Sequence, residues 1–439
     1  MGPHVIATDL LIATRNLTRH TRRNVLLGGA IALVTGLLVL LGGLTAGMRD
    51  AMLESATTLM TGHVNVGGFF KITAGSAAPL VTDYPRVLEE VRKRVPELDY
   101  VTVRGRGWGK VVSDTSSMDM VLGGVDIARE PGIRRVLRVV EGNLDDLAQP
   151  RTMLLFEDQA KRLGVKVGDA LTIAAPTSRG MNNTADVKVA VIARNVGLLS
   201  AFNAFMPAES LRQLYQLNDR TTGAIQLYLK DARASAAVAE RLRQELRAAG
   251  FKVLDADPQP YWQKLFQTIP SADWTGGRLD ITTWEDEMSF MSWILSAVQG
   301  LTGILVFVLM AIVVIGILNT LAIAIRERTR EIGTLRAIGM QRRKVLWLFL
   351  LETLLLGLGG TVAGALAGAG VGALLNAAHV AVPESVQMFL MQQRLTLTLD
   401  AGTIAGRVVL LTAVTTAASL FPALRAARLA PVTAMHHVG

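Results

Sequence analysis

A chain of 439 residues with mean hydropathy +0.37, no cysteine and a formal net charge of +9 has room for several structural units and carries a membrane protein's share of apolar residues. Mapping the charge excludes a nucleic-acid surface: residues 49–287 hold 30 basic and 30 acidic side chains, while the remainder holds 15 against 6, gathered beside apolar runs. Without cysteine there are no disulfides, which leaves the compartment open.

Residues 1–24 read as a cytoplasmic amphipathic segment ending in Arg15, Arg19, Arg22 and Arg23. Residues 25–48 follow without a charge, 24 residues that cross a hydrocarbon core of about 30 Å at about 1.5 Å per residue. The run exceeds the h-region of a signal peptide and no small-residue cleavage site follows, so the expectation is a retained first span. Ala51, Met52, Ala56 and Leu59 continue at helical spacing, as a stalk helix would.

Residues 49–287 form the expected external α+β domain. Val101–Val103, Met120–Leu122, Ala170–Ala174, Val187–Ala193 and Ile225–Leu229 read as strands; Arg86–Arg94, Glu157–Leu163, Ala208–Leu217 and Ala232–Ala249 read as helices. The segments from Val87 and from Val238 each read as amphipathic helix, turn and strand, so the domain is expected to be assembled from its two ends with the middle inserted. His63 stands alone, Asp145–Asp146 reads as a solvated pair, and no HExxH, GxSxG or GxxxxGK[ST] occurs: no catalytic or metal site is expected. Trp262–Trp284, rich in aromatics and turn residues, is expected to pack at the base of a stalk, with a cargo surface as the alternative.

Residues 288–325 are uncharged and as one helix would extend about 57 Å, so they predict a stalk continuous with the second span. Residues 326–344 then carry seven Lys/Arg and two Glu, a loop that the positive-inside rule places in the cytoplasm. Ile332, Leu335 and Ile338, with Gly333 and Gly339, predict a short amphipathic helix with a glycine stop. Residues 345–378 are the third span. Gly360, Gly364, Gly368 and Gly372 recur there at i+4, which lets helices approach closely, either within the chain or across a dimer. Glu352 is the one acid in that span and is expected to pair with an Arg of the basic loop. A short external loop (379–407), a fourth span (408–424) and a cytoplasmic tail (425–439) complete a four-span topology with both termini inside.

The run RERTREIGTLRAIGM, the Glu-bearing Gly-rich span and the tail FPALRAARLAPVTAM (Phe421–Met435) together resemble the FtsX/MacB-type ABC transporter permeases. GHVNV (Gly62–Val66), Gly124–Leu144 and Lys161–Ile173 look most like the lipoprotein-releasing Lol branch, with MacB-like export and FtsX-like regulation of an external enzyme as alternatives. The resemblance implies four spans, a large periplasmic domain on stalk helices and location in a bacterial inner membrane. It implies a cytoplasmic ABC ATPase carrying ATP and magnesium, a second permease copy or paralogue, membrane lipid, and a periplasmic chaperone or adaptor. It makes Arg326, Glu327, Arg328, Arg330, Glu331, Ile332, Gly333, Leu335, Arg336, Ile338 and Gly339 the ATPase-coupling residues.

Overall fold

The computed structural model describes residues 3–19, 21–73, 76–177, 180–383, 387 and 394–428. The chain divides into two compact units, Met1–Met48 with Ser296–Ala381 and Arg394–Gly439, and Arg49–Leu295 with Val382–Gln393.

The first unit is helical. Among the described residues four helices are long and apolar enough to cross a membrane: Thr21–Thr61, Trp293–Glu327, Arg342–Ala377 and Ala401–Ala427. The expected 38-residue apolar run is one unbroken helix, Ser289–Glu327, and the fourth span is longer than expected at both ends. Ile31 and Leu38 from the first span, Ile317 and Leu321 from the second, Phe349 from the third and Leu411 and Ala423 from the fourth share one core. Of the expected loop 379–407, residues 384–386 and 388–393 lie outside the described residues, as do 429–439 of the tail.

The second unit contains eleven strands: β1 (Val64–Thr73), β2 (Ser76–Ala78), β3 (Leu98–Val112), β4 (Ser117–Val125), β5 (Val139–Gly142), β6 (Thr152–Phe156), β7 (Ala170–Pro176), β8 (Asn182–Ala193), β9 (Asn203–Pro207), β10 (Ala224–Leu229) and β11 (Gly276–Thr283). They join in the order β11-β1-β10-β3-β4-β9-β6-β8-β5, with β2 on β1 and β7 between β3 and β8. Every strand expected from sequence lies inside one of these.

Two cores underlie the sheet. One draws on both ends of the domain: Val64 and Val66, Val87 and Val91 of helix Tyr84–Arg94, Ile225 and Leu227, and Val238 and Leu242 of helix Ser235–Ala248. The other belongs to the middle, with Met120, Leu155, Leu163, Ile173, Val189 and Met206. β3 serves both, pairing with β10 through Leu98–Arg104 and with β4 from Gly105 onward. The end-to-end assembly is therefore present, but the second helix–turn–strand copy is incomplete. Val253 makes only an isolated bridge to Leu279. Asp255, Asp257, Pro258 and Pro260 follow it, residues that strands disfavour, and the prolines have no N–H for a ladder.

Candidate functional site

Between the second and third spans the basic segment folds as helix Thr329–Ala337, and Gly339 adopts φ +104°, a left-handed conformation open to glycine. The expected single apolar stripe is divided. Ile332 is 5% exposed and belongs to the core of the spanning helices, whereas Ile338 is 79% exposed; the side chain of Leu335 lies outside the described residues. This corrects the reading of Ile332 as a partner contact, because a side chain already buried among the spans has no face left to offer.

Arg328 is corrected for the same reason. It is buried, and its Nη1 lies 3.1 Å from Glu352 Oε2, so the acid within the third span meets the first basic turn after the second. Glu327 pairs with Arg23 at 2.9 Å, and Arg336 reaches the Ala427 carbonyl at 3.4 Å. Lys344 donates to buried Asp9 of helix Pro3–Arg19 at 2.7 Å. These contacts fix one side of the segment. Arg326, Arg330, Glu331, Ile338, Arg342 and Arg343 remain exposed on it, an apolar knob among mostly positive charges.

The glycine ladder of the third span is occupied within the chain. A Cβ on Gly360 would meet Gly28 O and Ile31, one on Gly364 would press on Ala32, one on Gly368 on Gly36, and one on Gly372 on Leu40 and Leu399. Gly28, Ala32 and Gly36 are themselves an i+4 row of small residues on the first span, with Leu40 at the next position, so two small-residue rows lie against each other over three turns. The dimer-interface alternative for this ladder is thereby set aside. On another face, Thr361 and Thr412 hydroxyls hydrogen-bond at 2.9 Å, joining third and fourth spans.

In the second unit, the first long helix ends in a widened turn, Thr57–Thr61, stopped by Gly62 at φ +67°. A helix end leaves its last carbonyls without partners. Here each is taken: Thr57 O by Gly62 N–H at 2.7 Å and Tyr228 O–H at 2.9 Å, Thr58 O and Leu59 O by Arg104 at 3.1 and 2.8 Å, and Met60 O by the Gln226 amide. The Arg104 guanidinium also suits the negative end of the helix dipole, and Glu130 balances it. Burial raises the Glu130 carboxyl above its ordinary range, with Arg104 opposing that rise.

The second long helix begins beside this point. β1 follows the first helix, β11 leads into the second, and the two strands pair antiparallel from Val64↔Thr283 to Lys71↔Gly276. Glu287, just before the helix, accepts from Asn65 at 3.3 Å, Thr282 at 2.7 Å and the Tyr261 N–H at 3.3 Å. The Trp262–Trp284 stretch packs here: Lys71 donates to three of its carbonyls at 2.6–3.2 Å and sits 5.4 Å from the Trp274 ring, and Lys264 pairs with Asp280 at 3.0 Å. Burial pushes the Asp280 carboxyl up to about 6 despite Lys264. Arg104, Gln226, Tyr228, Asn65 and Glu287 were not singled out from sequence. A charged or amide residue inside an otherwise apolar strand was the signal available.

Comparison with known proteins agrees with this architecture. Residues 26–245 match the MacB-like periplasmic core domain and residues 303–431 the FtsX-like permease C-terminal domain. The chain is 36% identical over 153 residues to the macrolide export ATP-binding/permease protein MacB of Nitrobacter winogradskyi, covering 34% of this chain and 20% of that protein. It is 32% identical over 122 residues to the uncharacterized ABC transporter permease YvrN of Bacillus subtilis, 28% and 26% of the two chains. It is 35% identical over 121 residues to the pyoverdine export protein PvdT of Pseudomonas syringae, 28% and 16%. Each match thus spans well under half of the relative's length. Among solved structures it is similar to the periplasmic region of MacB from Actinobacillus actinomycetemcomitans, with TM-score 0.29, 15% identity, and 46% and 89% of the two chains covered. Four apolar helices and an α+β periplasmic core domain define a multi-pass transporter permease. The chain belongs to the FtsX/MacB-type ABC transporter permeases.

Proposed function

We propose that this permease couples a cytoplasmic ABC ATPase to work on the far side of the membrane, and that the exposed face of Arg326–Lys344 is the ATPase dock. ATP and magnesium belong to the ATPase. Both termini lie inside with the basic segment, as the positive-inside rule requires. The observation that carries the reading is Ile338, an exposed isoleucine beside exposed arginines on a helix anchored from behind by Arg328–Glu352. An apolar anchor with a polar rim is the form of a protein-binding hot spot. Arginines at the rim suit acidic groups on the partner.

Force would enter there and leave through the capped helix end. Four carbonyls held by β3 and β10 side chains, together with the β1–β11 pairing, favour a stiff connection over a loose one. A second permease copy completes the transporter, and the exposed apolar face of the second span, including Ile304, Phe307 and Ile315, is available to it or to lipid. For cargo, the names of MacB and PvdT favour export, and a periplasmic adaptor is the partner proposed for that reading. Lipoprotein release, with a chaperone receiving the product, rests on the Gly62–Val66, Gly124–Leu144 and Lys161–Ile173 stretches.

Ile338→Asp puts a charge into the docking contact, at a cost of about 2–4 kcal/mol, thirtyfold to a thousandfold in affinity. The expected result is a stable, inserted permease that no longer binds or stimulates its ATPase. Ile332→Asp should instead lower the yield of folded protein, since that side chain is internal. Normal co-purification and normal ATP hydrolysis in Ile338→Asp would refute the dock.

A further inference from the structure

Within the second unit, beside the last turn of the first long helix and Glu287, two residues before the second, lies a cavity of about 350 Å3. Its apolar walls are Met60, Trp108, Val121, Leu198, Phe202 and Trp262. That volume falls in the range of small-molecule sites, which are mostly apolar with a few placed polar groups. The two indoles are 53% and 43% exposed, so their surface is unspent.

The buried charge at the cavity is already matched: Arg106 has Glu287 at 3.9 Å and Asn65 at 3.0 Å. Asp119, also on the lining, is exposed to solvent. A charged occupant would lose its hydration against walls that are mostly apolar. Among the lining donors, the Tyr261 hydroxyl has no hydrogen-bond partner among the described residues; the Tyr261 backbone N–H is taken by Glu287. Its ring is held 4.1 Å from the Arg106 guanidinium.

The wall is also built in advance. Tyr215 Oη accepts from Trp108 N–H and donates to Trp108 O, both at 2.6 Å, fixing the strand where the indole projects. Gly107 makes room for this, because a Cβ there would lie 2.5–2.8 Å from the Tyr215 ring and hydroxyl. Val121 N–H to Phe202 O at 2.8 Å ties the facing wall. A pre-set pocket loses less entropy on binding.

We propose that this cavity binds a neutral, ring-bearing apolar molecule carrying an acceptor oxygen, which stacks on Trp108 and Trp262 and receives the Tyr261 hydroxyl. The occupant also touches Met60, in the last turn of the first long helix, and Glu287, two residues before the second, so binding is felt at the elements through which the coupling proposed above would run. The site itself needs no ATPase; only its effect on ATP hydrolysis rests on that coupling.

Benzophenone is a suitable probe, being neutral, apolar and photoreactive with one carbonyl. The full chain in lipid nanodiscs is titrated with benzophenone, irradiated, and its adducts located by peptide mass spectrometry. Saturable adducts are expected on peptides bearing Met60, Trp108, Val121 or Trp262. Val121→Trp, which fills the cavity from a partly exposed position, should abolish them. Tyr261→Phe should raise the half-saturating concentration about fivefold, one neutral hydrogen bond. Diphenylmethane, the same body without oxygen, should compete about fivefold less well in the wild type, and as well as benzophenone in Tyr261→Phe. Adducts confined to the spans, labelling undiminished in Val121→Trp, or stronger labelling by a quaternary-ammonium benzophenone than by the neutral one would overturn the proposal. Ile338→Asp should label like wild type, so failure of the dock and failure of the cavity read out separately.

Discussion

Gly364 offers the sharpest test of how the spans pack. A Cβ there would lie 2.7 Å from the Ala32 Cα and closer still to its carbonyl oxygen, both backbone atoms that no rotamer change can move. Carbon atoms rest at about 3.5–4.0 Å, so Gly364→Ala must separate the first and third spans by roughly 1 Å along the row. Overpacking of this kind costs about 1–3 kcal/mol, and the intrinsic helix preference of alanine returns about 0.8–1 kcal/mol. The same helix carries its own controls: Gly359 and Gly370 have nothing within 4 Å of an added Cβ. Gly359→Ala and Gly370→Ala should therefore be neutral or stabilising by up to about 1 kcal/mol, while Gly364→Ala falls and Gly364→Leu falls further. Thermal unfolding of the purified permease in one detergent, followed by tryptophan emission, ranks all four. Equal midpoints for Gly364→Ala and Gly370→Ala would mean that the two small-residue rows do not face each other.

The capped helix end gives a second expectation. Arg104→Met should cost about 3–5 kcal/mol by leaving Glu130 buried without its partner. Adding Glu130→Gln should recover the charge part but not the Thr58 and Leu59 contacts, so hydrogen exchange at residues 57–62 should stay faster than wild type. Wild-type protection in the double variant would clear Arg104 of any hold on the helix. The Lys264–Asp280 pair gives a pH expectation. Asp280 titrates near 6 in the folded chain and about 3.9 unfolded, so the folded state holds its proton more tightly. The associated stability is full below about pH 4 and is lost as pH rises through 6. Lys264→Met with Asp280→Leu should flatten that part of the unfolding profile between about pH 4 and 6, and an unchanged slope there would place the titration elsewhere.

What could be read beforehand divides by chemistry. The spans and the basic segment were legible because hydropathy and charge vary over 20 residues at a time, and lipid enforces that pattern on any sequence. Strands with apolar inner faces, such as Val187–Ala193, were legible by composition. β1 and β11 were not, because their buried positions include Asn65, Lys71, Asp280 and Thr282, which no propensity scale places inside a sheet. The Ile332–Ile338 division was hidden for another reason. Helical spacing shows that residues share a face, but not whether that face turns toward the protein's own core or away from it.

Polar residues buried within the strands are also what holds the helix ends. A helix that stops inside a domain must find donors for its last carbonyls, and apolar strands have none to offer. Arg104, Gln226 and Tyr228 supply them from β3 and β10, and Asn65 and Thr282 do the corresponding service for Glu287 from β1 and β11. Each of these side chains is buried, so its hydrogen bonds are strong where water is excluded and costly to leave unmade. A joint built this way resists sliding of helix against sheet more than greasy packing would, since packing tolerates small displacements and a buried charge does not. On the coupling proposed here, the polar side chains buried in β1, β3, β10 and β11 are what lets motion of a spanning helix reach the sheet.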